Sequence, residues 1–527
     1  MSLNLAVILE ESTRKHPEKV AVILDDFKLT YGQLNAAANQ VANALTGAGL
    51  KPGDRVGMML PNVPQFPIIY FGILKAGMIA VPMNVLLKDP EVEYYLKDSE
   101  SSAFFFFDMF AGEALEGANR VSSVKHKIQV SVMGTEAPAG TVDLGAFMGQ
   151  QPPTFDSVAT GPDDICLLIY TSGTTGKPKG AALTNYNLFQ CCHLGTHIFE
   201  FNEDTDVIMA TLPMFHSFGL SNVVNGAIHG GITMTLLPRF DADKALEIIQ
   251  RDKVTLFLGV PTMYFAMLHH PERSTYDMST LRLCVSGGAS IPGEVIKAWE
   301  QATGTKILEG YGLSETSPTA TFNQLDVGQK VGSIGTPVWG VRVKIADDSG
   351  NEVPQGERGE ILIKGHNIMK EYWRNPDATA EAIKNGWFHS GDIGYVDEEG
   401  FIFIVDRKKE MIIRGGFNVY PREIEEVIYQ YPKVAEAAVI GLPDEKFGEE
   451  VAAVVSPKPG ETIDAAELQA FVKERVAAYK YPRSIDVWPE LPKGPTGKIM
   501  KLEIKARVEK EGGKPAEQAA DAAPAKA

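Results

Sequence analysis

Ile165-Cys166-Leu167-Leu168-Ile169-Tyr170-Thr171-Ser172-Gly173-Thr174-Thr175-Gly176-Lys177-Pro178-Lys179-Gly180 reads as a short apolar strand running into a loop of glycines, hydroxyls and two lysines. The glycines let the backbone turn and bring N–H groups close to an anion. Thr171, Ser172, Thr174 and Thr175 add hydroxyl donors, and Lys177 and Lys179 add positive charge. A ligand dense in negative charge is the natural guest, and a triphosphate fits. The loop is not of the Gly-x-x-x-x-Gly-Lys-Ser/Thr kind. The position five before Gly176 is Thr171, and Lys177 is followed by Pro178. A flexible linker rarely carries two lysines and a proline directly after an apolar strand.

Outward from this stretch, short apolar runs alternate with helical patterns, which predicts an α/β body. Thr30-Tyr31-Gly32-Gln33 resembles a capping box opening a helix that carries Leu34, Val41 and Leu45. Arg55–Leu60 and Met78–Pro82 read as buried strands around a helix near Ile68–Lys75, a βαβ unit. Ser102–Asp108, with Phe104 to Phe107, reads as another buried strand. Asp206–Leu212, Ile232–Leu237, Thr255–Gly259 and Leu281–Ser286 continue the pattern.

From about Val338 the texture changes. Val341–Ala346, Gly359–Lys364 and Phe401–Val405 predict short strands of a β-rich subdomain. After Asp406-Arg407-Lys408-Lys409 come a helix over Pro421–Tyr429, strands over Ala435–Gly441 and Glu450–Pro457, and a helix over Ala465–Ala478. This makes a separate α+β unit. The expected organisation is a large N-terminal domain over 1–405, a connection at 406–409, a small C-terminal domain over 410–506, and a disordered tail over 507–527.

The 527 residues carry a net charge of −17, with 44% hydrophobic and 22% charged residues. That balance suits a globular protein and argues against nucleic acid as partner or a polybasic hold on anionic lipid. The four cysteines, Cys166, Cys191, Cys192 and Cys284, show no CxxC pair, so buried free thiols are expected rather than disulfides or zinc. The N-terminus lacks the features of a signal peptide. The apolar stretches Phe66–Leu74 and Leu256–Leu268 fall short of the roughly 18 residues that read as a transmembrane helix. The closing Pro-Ala-Lys-Ala is no peroxisomal or lipidation signal. A cytoplasmic location is expected, and a homodimer is left open.

Four further motifs accompany the loop. They are Gly310-Tyr311-Gly312-Leu313-Ser314-Glu315-Thr316, Trp387-Phe388-His389-Ser390-Gly391-Asp392, Asp406-Arg407-Lys408-Lys409-Glu410-Met411-Ile412-Ile413-Arg414-Gly415-Gly416, and Pro492-Lys493-Gly494-Pro495-Thr496-Gly497-Lys498. Singly, each reads as an ordinary turn or a solvated charge. Together, in this order, they resemble the adenylate-forming superfamily of acyl-CoA synthetases, aryl-CoA ligases, luciferases and peptide-synthetase adenylation domains. The resemblance runs from about residue 5 to 505.

The resemblance implies site residues. Thr171 to Gly176, Lys177, Lys179, Gly288, Tyr311 and Thr316 would hold ATP, with Tyr311 on adenine and Thr316 at the α-phosphate. Glu315 would hold Mg²⁺, with Thr171, as a carboxylate beside phosphates can. Asp392 would take the ribose hydroxyls and Arg407 would touch the nucleotide. Lys409 would be the hinge of a mobile small domain. Lys498 would enter the site for adenylation only, and Gly415 and Gly416 would line the side from which coenzyme A arrives.

The implied chemistry fits those groups. A substrate carboxylate attacks the α-phosphorus of ATP, and no general base is needed because the nucleophile is already ionised. Lys498, Mg²⁺ and the loop donors would neutralise charge as pyrophosphate leaves. The acyl-adenylate hydrolyses if water reaches it, so a second step needs a dry site and a thiol.

The acid is expected to be a medium- or long-chain fatty acid. Thr211 to Gly231 holds no Asp or Glu. An α-amino acid would therefore leave its ammonium unpaired, which disfavours peptide-synthetase activity. His216 would lie near the substrate carboxylate. Val260, Gly287, Gly288 and Gly312 would line an acyl pocket with Met263, Phe265 and Met267 nearby, and small residues leave room. Each buried CH₂ adds about 0.8 kcal/mol. A flat aryl acid, as in 4-coumarate ligases, is the runner-up. An adenylate-forming ligase with a carrier-protein acceptor, a luciferase-like oxidase and a non-catalytic nucleotide-binding protein are the other readings.

Overall fold

The phenylalanine run forms a strand covered on both faces. In the computed structural model, Ser101–Phe107 lies between the parallel strands Arg55–Met59 and His126–Val130. A strand packed on both faces has no polar side to show, so it reads as a continuous apolar run. The structure describes residues 2–132, 134–171, 177–415, 417–444, 446–494 and 497–511. These fall into two units. One holds the chain up to Ile291 with Ala298–Lys344 and Leu362–Ser390. The other holds Pro292–Lys297, Ile345–Ile361 and the chain from Gly391 on.

The first unit is built on two sheets. The eight-stranded sheet has the order Glu371–Tyr372, Lys179–Thr184, Ile165–Thr171, Ile79–Pro82, Arg55–Met59, Ser101–Phe107, His126–Val130 and Val142–Asp143. Ile165–Thr171 runs parallel to Ile79–Pro82 and antiparallel to Lys179–Thr184, with Thr171 opposite Lys179. The nine-stranded sheet has the order Thr336–Pro337, Thr321–Phe322, Ile307–Tyr311, Leu283–Ser286, Leu256–Gly259, Val207–Ala210, Thr233–Leu236, Val20–Leu24 and Phe27–Thr30. From Ile307–Tyr311 through Val20–Leu24 its neighbours are parallel. In open α/β sheets, ligands sit beyond the carboxyl ends of such strands.

The expected capping box is present. The Thr30 hydroxyl accepts from the Gln33 N–H at 3.2 Å, and Gln33 Oε1 accepts from the Thr30 N–H at 2.9 Å. It opens the helix Tyr31–Gly47, which buries Leu34, Val41 and Leu45. All four cysteines are buried and free. Among the described residues, no helix is long and apolar enough to cross a membrane.

In the second unit, residues 392–396 pair antiparallel with residues 402–407. A five-stranded sheet follows, in which Gly448–Pro457 pairs with Ile412–Arg414, Val434–Asp444 and Ser484–Val487. The helices Pro421–Tyr429 and Ala465–Lys473 bury Ile424, Ile428, Leu468 and Val472 against it.

Two expectations need correcting. The helix read over Ala465–Ala478 ends at Lys473. There the Arg475 guanidinium takes up the Phe471 carbonyl at 2.8 Å and the chain leaves in turns. The tail is expected from residue 507; residues 512–527 lie outside the described residues, yet a helix covers Lys501–Glu511. Its only apolar anchors beyond Leu502 are Ile504 and Val508, one turn apart. Both are buried with Ala438, Ile440, Trp488 and Leu491. Two residues give too little periodicity to read as a helix. Residues 345–361 and 391–405 cluster with the C-terminal part in the second unit. For residues 392–405 the reason is the hairpin 392–407, whose two strands pair with each other.

Candidate active site

Three groups of expected residues are brought together, two in the first unit and one in the second.

The first group stands at the end of the strand Ile165–Thr171. The Thr171 hydroxyl donates to Glu315 Oε1 at 3.3 Å. Glu315 is buried and starts from the short helical turn Ser314–Thr316. A second hydroxyl, Tyr372 Oη, donates to the same carboxylate oxygen at 2.8 Å. The Met369 N–H fixes the Glu315 carbonyl at 2.8 Å. Lys179 Nζ lies 4.6 Å from the centre of the Tyr372 ring. Burial, with the charge of Glu315 next, pushes the Tyr372 phenol far above its ordinary range, so it stays a donor.

The flanks of the loop are held by the helix Asp89–Asp98. Tyr170 Oη donates to Asp98 at 2.7 Å, and Tyr94 Oη donates to the Pro178 carbonyl at 2.7 Å. Lys177 Nζ sits 5.7 Å from the Tyr94 ring centre. Ser172, Gly173, Thr174, Thr175 and Gly176 lie outside the described residues.

The second group stands at the carboxyl ends of three adjacent parallel strands. Val260 follows Leu256–Gly259, Gly287 and Gly288 follow Leu283–Ser286, and Gly312 follows Ile307–Tyr311, whose last residue is Tyr311. The Gly287 N–H donates to the Gly259 carbonyl at 3.3 Å. A Cβ at Gly287 would come 3.1 Å from the Phe218 ring, and one at Gly288 would come 3.8 Å from Val260. Gly288 has φ +77°, a conformation that favours glycine. At Gly312 a Cβ would sit 1.5 Å from the Pro318 carbonyl oxygen, so no other residue fits that backbone.

His216 follows the next strand, Val207–Ala210. Its Nδ1 accepts the Phe218 N–H at 3.3 Å, which places the proton of the neutral ring on Nε2. Next to it, Ser217 Oγ meets Ser314 Oγ at 3.1 Å, so one turn borders both the glycine-lined pocket and Glu315. Thr316 is fully buried, and its hydroxyl donates within its own turn, to the carbonyls of Leu313 and Pro318.

The third group belongs to the second unit. Asp392 and Arg407 face each other across the antiparallel pair, with Nε 3.4 Å from Oδ1. Asp392 is buried. Lys498 belongs to the same electrostatic neighbourhood. Desolvation and then the Arg407 guanidinium push its ammonium down toward about 8, against the pull of Glu410 and Asp392, and because the residue as a whole is exposed, water softens that push. Asp406, just before Arg407, is pushed up to about 6 by burial. Lys409 is exposed. Gly415 has φ +56°. Gly416, Pro495 and Thr496 lie outside the described residues.

Tyr372, Tyr94 and Asp98 were missed in the sequence. Tyr372 lies between motifs, and only an aromatic pair, Tyr372-Trp373, in the polar stretch Met369–Arg374 marks it. Tyr94 and Asp98 share a helix face by their spacing of four, a signal too common to single them out.

Among the described residues, no cluster of three His, Cys, Asp or Glu forms a metal cage. The Thr171 and Glu315 oxygens are hard donors on one side only. They suit a cation that completes its shell with phosphate and water, as Mg²⁺ does.

Residues 9–373 match the family of AMP-binding enzymes, and residues 423–498 match the AMP-binding enzyme C-terminal domain. A long-chain-fatty-acid–CoA ligase of Bacillus subtilis is 38% identical over 526 residues, covering 95% of this chain and 94% of that protein. A feruloyl-CoA synthase of Amycolatopsis is 39% identical over 495 residues, covering 94% and 97%. The crystal structure of the anthranilate CoA ligase AuaEII in complex with anthranoyl-AMP superposes with a TM-score of 0.92 at 32% identity, covering 97% of this chain and 98% of that one. The strand-end glycines, the Thr171–Glu315 pair and the α/β fold with its small C-terminal domain are thus carried by a chain that belongs to the AMP-binding enzyme family, among the AMP-forming acid–CoA ligases.

Proposed function

We propose that the protein is an acyl-CoA synthetase acting on medium- or long-chain fatty acids, joining carboxylate and ATP to acyl-AMP and pyrophosphate, then acyl-AMP and coenzyme A to acyl-CoA and AMP. The observation that carries the substrate reading is the set of small and apolar residues, without a charge among them, that follows three adjacent parallel strands. Of the glycines there, Gly288 is the open one, and Val260 with the buried Met263 supplies apolar surface beside it. An extended apolar chain gains about 0.8 kcal/mol for each CH₂ it buries.

In the first step the His216 Nε2–H offers a donor to the incoming carboxylate. Thr171 and Glu315 would hold Mg²⁺, which when bound offsets charge on the triphosphate. Lys177 and Lys179 add charge beside the loop, and Asp392 takes the ribose hydroxyls with Arg407 held against it. Lys498 supplies the cation that stabilises the departing pyrophosphate, worth about 3 kcal/mol in the transition state. Residues 406–409 form the hinge between the large and the small domain. The small domain then turns about Lys409, and the Gly415–Gly416 loop serves the thiol step.

The aryl-acid reading keeps its place because a feruloyl-CoA synthase, at 39% identity, is as similar to this chain as the fatty-acid enzyme at 38%, and an anthranilate CoA ligase shares the fold at 32% identity. AMP release from ATP and Mg²⁺ separates the two. The acids to compare are acetate, octanoate, palmitate, oleate, 4-coumarate and benzoate, each with and without coenzyme A. Coenzyme A-dependent AMP with octanoate or longer acids is expected. Turnover confined to 4-coumarate or benzoate would replace the fatty-acid reading with the aryl one.

A further inference from the structure

Tyr372 sits on a two-residue edge strand, Glu371–Tyr372, which pairs antiparallel with Lys179–Thr184 directly after the loop. From that edge its hydroxyl reaches Glu315, 57 positions away in the chain, at 2.8 Å. Thr171 donates to the same Oε1 at 3.3 Å. Glu315 and Tyr372 are each 7% exposed, so water competes little for these bonds. The backbone of the same segment is pinned to the same two partners. The Met369 N–H holds the Glu315 carbonyl at 2.8 Å, and the Trp373 N–H holds the Gly180 carbonyl at 2.7 Å. The ring lies under the Lys179 ammonium at 4.6 Å. One side chain therefore ties the strand leaving the loop to the carboxylate across from it.

We propose that Tyr372 is a positioning residue for the metal–nucleotide complex. Its O–H occupies Glu315 Oε1, locks the carboxylate rotamer, and leaves Oε2 as the oxygen presented to the cation. The Thr171 hydroxyl also spends its proton on Oε1, so its oxygen lone pairs are left to face the same cation. Two donors on one oxygen give this arrangement a single orientation. Carboxylates that must bind a cation in one geometry need such support, because a loose ligand loses affinity without losing charge. The inference rests on the proposed role of Glu315 as metal ligand.

The test compares wild type, Tyr372→Phe, Tyr372→His and Glu315→Gln as full-length chains. Calorimetry reads the affinity for Mn²⁺–ATP and, separately, for ATP in chelator without metal. Tyr372→Phe keeps the ring under Lys179 and removes only the hydroxyl. It is expected to weaken Mn²⁺–ATP binding about tenfold, the scale of one hydrogen bond to a charged group, and to leave metal-free ATP binding unchanged. Tyr372→His, which keeps a ring donor, is expected to recover part of the loss. Equal losses with and without metal would show a merely structural residue and overturn the proposal, as would wild-type affinity in Tyr372→Phe. If Tyr372→Phe does not fold, the ratio of the two affinities in Tyr372→His decides by the same rule. Glu315→Gln separates the two levels. Should it leave Mn²⁺–ATP affinity intact, the metal role of Glu315 fails. Should it alone weaken that affinity, only the role of Tyr372 fails.

Discussion

Asp392 and Arg407 occupy facing positions on an antiparallel pair, and the guanidinium Nε stands 3.4 Å from the Asp392 carboxylate. The carboxylate is buried and the guanidinium is partly open. A carboxylate paired in this way accepts hydrogen bonds from two hydroxyls better when charged than when neutral.

Asp392→Asn should therefore weaken nucleotide binding more than it weakens the fold. The expected effect is a rise in the KM for ATP of about tenfold to a hundredfold, or roughly 1.5–3 kcal/mol for a hydrogen-bonded charge. Pyrophosphate exchange measures it, with the thermal midpoint as control. An unchanged KM would remove Asp392 from the nucleotide site.

Lys498 carries a pH signature. Its surroundings push its ammonium down from an ordinary value of 10.5 toward about 8. In its proposed role Lys498 acts in the charged form, so adenylation should fall as pH rises through about 8. Thioester formation from supplied acyl-adenylate should not follow it. Between those two values the unfolded chain holds more protons than the fold at this position. The contribution to stability thus grows with pH, and unfolding at this group does not explain the loss. Lys498→Gln should abolish adenylation and leave the thioester step. Acetylation of Lys498 should act in the same way, since it removes the charge.

Lys409→Pro removes a backbone N–H and restricts φ in the proposed hinge. One half-reaction should survive and the other should slow by at least about tenfold, because a hinge locked in one state serves one step. Single-turnover measurement of each half-reaction checks this. Normal rates for both would move the hinge elsewhere.

Gly312→Ala should fail as a fold. The added Cβ would lie 1.5 Å from the Pro318 carbonyl oxygen, and that neighbour is backbone. The turn carrying Glu315 must then shift, at a cost of several kcal/mol by comparison with overpacked cores. Thermal denaturation should show a large loss of midpoint. Gly288→Ala meets only the Val260 side chain at 3.8 Å and is strained by its φ of +77° alone, so it should cost about 1 kcal/mol.

The strands, the capping box at Thr30 and the order of the motifs were legible in the chain itself, because each depends on neighbours a few positions away. Buried strands announce themselves as apolar runs, and a cap needs only Thr30 and Gln33. The helix Lys501–Glu511 was not legible, because Ile504 and Val508 gain their partners from Ala438, Ile440, Trp488 and Leu491.

What the tertiary structure decided is which groups share an atom. Thr171, Glu315 and Tyr372 are far apart in the chain, and only the pairing of Glu371–Tyr372 on Lys179–Thr184 brings two hydroxyls to one carboxylate oxygen. Spacing along a chain carries no record of such a meeting. Local propensity acts over a turn or a strand, whereas a hydrogen bond between distant segments exists only once packing has closed the loop between them.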